Sequence, residues 1–287
     1  MRSFRPALAA LAALPLALAA CGDAAPPAGG GAPGTVAFTT YGEDYIERQI
    51  PAAAVAAGWA ITYEKFLVVI GDVTVATAAG EVGARLSSST LFDLKQPGEK
   101  PVATFELPAR TWDAVSYRVG PAGAQTALGP GVTEADRALV GAPGASVYAA
   151  GSATKGGVTK TFKWLFTKPT LLAGCGGEKD GREALGAVVT SGNVDQIQLT
   201  IHGDHLFYDD LQSPAAELRF DAIAAADADA DGEVTLDELR AVKLSDLTAG
   251  PYGTGSADVD DLGAFVEALS ETVGHFRGEG ECNARAL

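Results

Sequence analysis

The chain has 287 residues, with 36 acidic and 21 basic side chains, a formal net charge of −15 and an isoelectric point near 4.5. This charge balance argues against binding to nucleic acid or to anionic membrane surfaces, and it favours cations as partners. The length is ample for a sizeable hydrophobic core.

The first 21 residues have the pattern of a secretory signal. Two arginines precede an apolar stretch from Ala7 to Ala20, which is too short to span a bilayer as a stable helix. The stretch ends in LAAC, which resembles the lipobox of bacterial lipoproteins. The resemblance implies lipidation of Cys21 and a lipid anchor in the cell envelope, and Gly22 favours the outer membrane. The alternative is a plain signal peptide with a chance cysteine.

Residues 22–34 are rich in glycine, alanine and proline and predict a disordered linker. From there to residue 212, short runs such as STLFDL, AVSYRV and QIQLTIH alternate with turn segments such as QPGEKP and GAPG. This pattern predicts an antiparallel β-sandwich domain over residues 35–212. Residues 59–122 resemble a group of bacterial lipoproteins with transthyretin-like or immunoglobulin-like sandwiches, a resemblance of fold alone. Glu43 and Glu47 are expected to share a solvated helix face.

Two cysteines remain after Cys21. Cys175 and Cys282 are expected to form a disulfide, because exported proteins fold in an oxidising compartment. The alternative is a pair of metal thiolates, although neither cysteine has the neighbour that a CxxC pair would provide.

The composition becomes helical after Ser213-Pro214, and residues 213–287 predict a C-terminal helical region. Three segments have helical spacing: AAELRFDAIAAA, LDELRAVKL and DVDDLGAFVEALSETVGHF. The last has an apolar stripe that is expected to pack against the sandwich. The two regions together predict the α+β class.

Residues 227–238, DADADGEVTLDE, lie between the first two of these helices. A calcium loop of the EF-hand type needs oxygen ligands at positions 1, 3 and 5, a backbone carbonyl at 7, a hydroxyl or water at 9, and a bidentate glutamate at 12. Glycine at position 6 allows a sharp turn. The segment resembles the EF-hand family at all of these positions.

The resemblance implies one Ca²⁺ site, whose ligands are the side chains of Asp227, Asp229, Asp231 and Glu238, the carbonyl of Glu233, and Thr235 directly or through water. The carboxylates would repel one another without a cation, so we expect ion binding and local ordering to be coupled. EF-hands usually occur in pairs, so the sandwich and the C-terminal helix are expected to brace this single loop. The alternative is an acidic loop that binds no ion.

The chain has three histidines, His202, His205 and His275. Their scarcity and the spacing in TIHGDHLFYDDL suggest a copper or zinc site, with Asp204 contributing. On a continuous strand, His202 and His205 would lie on opposite faces, so only a turn at Gly203 would bring them together. The alternative is a structural role in which this segment packs under the calcium helices.

These features predict a lipid-anchored calcium-binding protein of the cell envelope, in which calcium stabilises structure or an interaction surface. The alternative is a periplasmic transition-metal-binding protein that uses the three histidines. No nucleophile elbow, phosphate loop or HExxH pattern occurs in the sequence, so the chain is not expected to be an enzyme. The expected partners are calcium and, through the lipid alone, the membrane, and no particular protein partner is indicated.

Overall fold

The structure is a computed structural model that describes residues 32–247 and 252–287. The predicted signal, Cys21 and most of the predicted linker lie outside these residues. The fold is mostly β, which agrees with the β-rich part of the predicted α+β class. The described strands, numbered β1 to β18 in chain order, are Gly34–Gly42, Ala60–Ala76, Val82–Arg85, Ser89–Asp93, Lys100–Leu107, Thr111–Trp112, Ala114–Val119, Ala127–Leu128, Val147–Lys155, Val158–Phe166, Thr170–Ala173, Gly176–Lys179, Arg182–Leu185, Ala187–Val188, Val194–Ile201, Glu233–Val234, Gly274–Phe276 and Asn283–Ala286.

The helices of the described residues are short, and none of them is long and apolar enough to cross a membrane. The α-helices, numbered α1 to α5, are Asp44–Glu47, Glu134–Gly141, Asp221–Ala225, Leu236–Ala241 and Leu262–Leu269. Single 3₁₀ turns span Ala56–Gly58, Asp204–Phe207 and Leu244–Asp246.

Two sheets contain most of the strands. The larger sheet has the order β16-β10-β9-β2-β7-β11-β18; in addition, β3 and β4 pair with β2, and β8 pairs with β4. The smaller sheet has the order β17-β15-β1-β5. The central strand, β2, includes FLVVIG, which is buried without interruption. A strand that is covered on both faces needs such a continuous apolar run.

The main hydrophobic core joins side chains of both sheets to side chains of the helices. Phe162 of β10 stacks on Trp164 with ring centroids 4.6 Å apart, and it also contacts the rings of Tyr63 and Phe207. The indole of Trp164 donates a hydrogen bond to the carbonyl of Val234 over 2.9 Å, which satisfies the buried polar end of the ring.

The sheets are not purely antiparallel, contrary to the prediction. β1 pairs with β15 in parallel, and β10 with β16 and β4 with β8 do so as well. Parallel neighbours need a long connection. The chain between β1 and β15 supplies one, because it runs through most of the larger sheet.

The C-terminal region is less helical than its periodicity predicts. Residues 214–220 form isolated bridges through Leu218, which pairs with both Val55 and Tyr208, so α3 begins only at Asp221. The third predicted helix ends at Leu269, and the segment that follows it contains β17 and β18. Backbone pairing has outweighed local helical preference at both places, through isolated bridges at Leu218 and through strand pairing after Leu269.

Candidate metal centres

The fold brings the three histidines together from two distant segments. His202 follows the end of β15, His205 lies in the turn Asp204–Phe207, and His275 lies in β17, which pairs with β15 in antiparallel register. One ligand nitrogen from each ring lies within 4.8 Å of the other two. Ligands of tetrahedral zinc are about 3.4 Å apart when each is about 2.1 Å from the ion, so only small ring movements are needed.

The chain turns sharply at Gly203, which is the condition that the sequence analysis set for bringing His205 beside His202. A Cβ at this position would lie 2.5 Å from Ile46 Cγ1 and 2.9 Å from Tyr63 Cε2. The Tyr63 hydroxyl donates a hydrogen bond to the Gly203 carbonyl over 2.6 Å. Close packing therefore requires glycine here, and the chain leaves the strand direction immediately after His202.

The ring contacts are tight. His202 and His275 are stacked with centroids 4.0 Å apart, and the His205 ring stands nearly perpendicular to His275 at 4.9 Å. His205 Nδ1 lies 2.9 Å from the Thr272 hydroxyl, which leaves Nε2 for other partners. His202 and His275 are only 4% and 6% exposed, so the cluster is a buried polar group rather than a surface feature.

The environment of each ring determines its charge. Burial, together with the neighbouring histidines, lowers the pKa of His205 to about 3, and burial with His202 nearby lowers that of His275 to about 4. Both rings are therefore neutral near pH 7, the form that binds metals. Burial also opposes charge on His202, but the Glu43 carboxylate outweighs it and raises the pKa of His202.

A cavity of about 550 Å³ opens onto the histidines, with Asp210, Glu279 and Glu281 also lining it. Its volume far exceeds the roughly 30 Å³ that one water occupies. These carboxylates make the cavity attractive to cations.

Two carboxylates lie on another side of His202. Glu43 Oε1 is 3.0 Å from His202 Nε2, in a contact that is not aligned as a hydrogen bond. Asp204, which the sequence analysis had included, joins Glu43 and His202 in a group whose ligand atoms lie within 4.8 Å. Glu43 was predicted to be a solvated residue, which is wrong, and no local pattern links it to a histidine so distant in the chain.

The segment DADADGEVTLDE runs from the end of α3 through β16 into the first turn of α4. Asp227, Asp229 and Glu238 each place one carboxylate oxygen within 4.8 Å of the others. Gly232 has φ +91°, the left-handed conformation for which the sequence analysis required glycine.

Most of the proposed calcium ligands have other partners. Asp231 Oδ1 accepts a hydrogen bond from the Glu233 amide over 2.7 Å, and Asp231 is not in the close carboxylate group. Thr235 caps α4 by accepting from the Glu238 amide, while Glu238 Oε2 accepts from the Thr235 hydroxyl over 2.9 Å. Carboxylate convergence is thus limited to Asp227, Asp229 and Glu238.

Asp227 is the most buried carboxylate of the loop. Its side chain is fully buried, and the Lys160 ammonium contacts Oδ2. That contact lowers the pKa of Asp227. The other oxygen, Oδ1, is buried and has no hydrogen-bond partner. The loop thus holds an ionised carboxylate with one oxygen free.

The larger sheet and α5 brace the loop. β16, which contains Glu233 and Val234, pairs with β10 through Thr161 and Phe162. Gly263 of α5 packs against the backbone of Leu236 and Arg240 in α4.

The predicted disulfide between Cys175 and Cys282 is present. Cys282 also lines the cavity that opens onto the histidines. The bond thereby ties the chain around His275 to the segment between β11 and β12.

No protein-family model and no curated protein matches the chain. Among solved structures, the chain is similar to MbnP from Methylosinus trichosporium, with 10% sequence identity and a TM-score of 0.31 over 63% of this chain and 84% of that one. A similarity this low does not establish a shared fold or function.

Proposed function

We propose that the protein is an extracytoplasmic metal-binding protein in which His202, His205 and His275 hold one Zn²⁺ or Cu²⁺ ion. The main support is the position of the three histidines of the chain. One ring nitrogen from each lies within 4.8 Å of the other two, and all three side chains line one cavity. Every histidine of the chain belongs to this cluster, which is unexpected if the residues had been placed without a common role.

The ligand set favours these metals. Imidazole suits Zn²⁺ and Cu²⁺, whereas Cu⁺ prefers thiolate or thioether sulfur. The only methionine in the sequence is Met1, and Cys175 and Cys282 are joined to each other. Among divalent ions, Cu²⁺ binds such a site more tightly than Zn²⁺.

Calorimetric titration with Zn²⁺, in a large excess of calcium, tests this role. We expect one equivalent in the parent protein and a Kd at least about tenfold higher in His275→Ala, because losing a ligand costs more than losing one of its hydrogen-bond partners. Gln212→Ala, which changes the same cavity without removing a ligand, is the control. Equal affinities for parent and His275→Ala would refute the proposal.

We further propose that residues 227–238 form a single EF-hand that holds Ca²⁺ for a structural purpose. The supporting observation is the buried, unpartnered Oδ1 of Asp227 beside oxygens of Asp229 and Glu238. A calcium ion, which takes oxygen ligands at about 2.3–2.6 Å, would satisfy it. The site would join the helical part to an immunoglobulin-like or transthyretin-like sandwich.

Melting curves with calcium and with chelator test this second role. Calcium at about 100 times its Kd should stabilise the parent by about 2.7 kcal/mol. Glu238→Gln should abolish that gain, whereas Asp237→Asn, a neighbouring exposed carboxylate that pairs with Arg240, should keep it. A gain that is the same in all three proteins would contradict calcium binding at the loop.

The lipid anchor at Cys21 and a place in the outer membrane complete the proposal, together with a role in binding rather than in catalysis. The support is the LAAC sequence after the apolar stretch. Metabolic labelling with a fatty acid should mark the parent and leave Cys21→Ser unmarked.

A further inference from the structure

His202 belongs to two groups of potential ligands. One is the cluster of three histidines, and the other consists of Glu43, His202 and Asp204. The second group contains one imidazole and two carboxylates, and it shares only His202 with the first.

Asp204 is the residue that points to a ligand. It is only 7% exposed, and its Oδ2 accepts a hydrogen bond from the Tyr208 hydroxyl over 3.1 Å. Its other oxygen, Oδ1, is buried without a hydrogen-bond partner. A bound cation would satisfy this oxygen.

The three histidines and Asp204 line different cavities. The three histidines line the cavity of about 550 Å³, whereas Asp204 lines a second cavity of about 470 Å³ that also includes Tyr45 and Glu217. Tyr208 lines both cavities and therefore forms part of the wall between them. His202 lines the first cavity and is the member that the two ligand groups share.

We propose that Glu43, His202 and Asp204 form a second position for a divalent cation, and that one ion moves between it and the three histidines. The inference rests on the proposed function, because His202 serves both positions. Two dications around one imidazole would repel each other, so the positions are occupied in turn. The carboxylate-rich position suits Mn²⁺ and Zn²⁺, while the histidines favour Cu²⁺. The two cavities would then be the two ends of a transfer route.

Removal of the histidine position isolates the second one. In His205→Ala/His275→Ala, Zn²⁺ titration with calcium in large excess should still show one equivalent. Its Kd should be about 10- to 100-fold higher than that of the parent protein. Addition of Glu43→Gln and Asp204→Asn to this variant should remove the remaining equivalent. Addition of Glu217→Gln instead, which changes an exposed carboxylate of the same cavity, should leave it intact.

The outcomes separate the two proposals. An unchanged Kd in His205→Ala/His275→Ala would refute the three-histidine function. Two outcomes would overturn the second position alone: the loss of all zinc binding in His205→Ala/His275→Ala, or a weakened equivalent that Glu43→Gln/Asp204→Asn leaves intact. Glu43→Gln alone, added to His205→Ala/His275→Ala, is the control for misfolding because the Glu43 side chain is partly exposed. It should weaken binding of the remaining zinc ion without lowering the melting temperature.

Discussion

The two carboxylate oxygens of Asp227 have different environments: one contacts a lysine and the other is buried without a partner. A buried acceptor without a partner costs about 1–3 kcal/mol, and Asp227 Oδ1 is in that situation even though Lys160 neutralises the charge through Oδ2. Lys160 lies on β10, at the edge where β16 pairs, so the loop and the sheet share this contact. In the proposed calcium site, Lys160 is a competing cation fixed to the protein.

Lys160→Met should therefore strengthen calcium binding. Loss of the competing ammonium should make the free energy of calcium binding more favourable by about 1 kcal/mol. Titration calorimetry should therefore show a roughly fivefold lower Kd for calcium. The same substitution should destabilise the calcium-free protein, because Asp227 then lacks a cation. Lys163→Met, which removes an equal charge from the same strand but pairs with the exposed end of Glu233, is the matched control. A weaker or unchanged affinity in Lys160→Met would show that the ammonium does not compete.

The elements show which features of the molecule were open to prediction. Turn chemistry and β-branched runs predicted a mostly β fold, and the spacing of oxygen ligands identified the turn between α3 and α4, because both signals are local in sequence. Three features depend on partners more than fifty residues away: the bridge from Leu218 to Val55, the strand that carries His275, and the contact between Glu43 and His202. Local propensity contains no information about such partners.

α5 packs closely against α4 at Gly263. A Cβ there would lie 2.5 Å from Arg240 Cγ and 2.8 Å from the Arg240 amide nitrogen, so Gly263→Ala should push α4 away at a cost of about 1–3 kcal/mol. Since Glu238 is on α4, calcium affinity should fall as well. Gly141→Ala at the end of α2, where a Cβ meets nothing within 4 Å, should be neutral or slightly stabilising in the same melting and titration measurements. Similar effects of both substitutions would rule out this packing role.

At the scale of the whole molecule, the disulfide joins parts of the chain that are 107 residues apart. Its Cys282 end also borders the histidine cavity, so one covalent bond affects both global stability and the proposed metal site.

Replacement of both cysteines, as Cys175→Ser/Cys282→Ser, should lower the free energy of unfolding by about 2–5 kcal/mol. Because the bond limits movement of the chain next to His275, zinc affinity should also fall. Denaturant unfolding and zinc titration of the variant, compared with the parent in the presence and absence of reductant, measure both effects. A parent whose stability is unaffected by complete reduction would contradict the prediction.

The parallel pairing of β1 with β15 also sets the order in which the smaller sheet can assemble. Thr35 pairs with Val194, so the first described strand gains this neighbour only after most of the chain has been synthesised. Pairings between such distant segments fold slowly. β17 joins β15 later still and brings His275 with it. A newly made chain therefore has no three-histidine site with which to capture a metal ion, and uptake must follow folding.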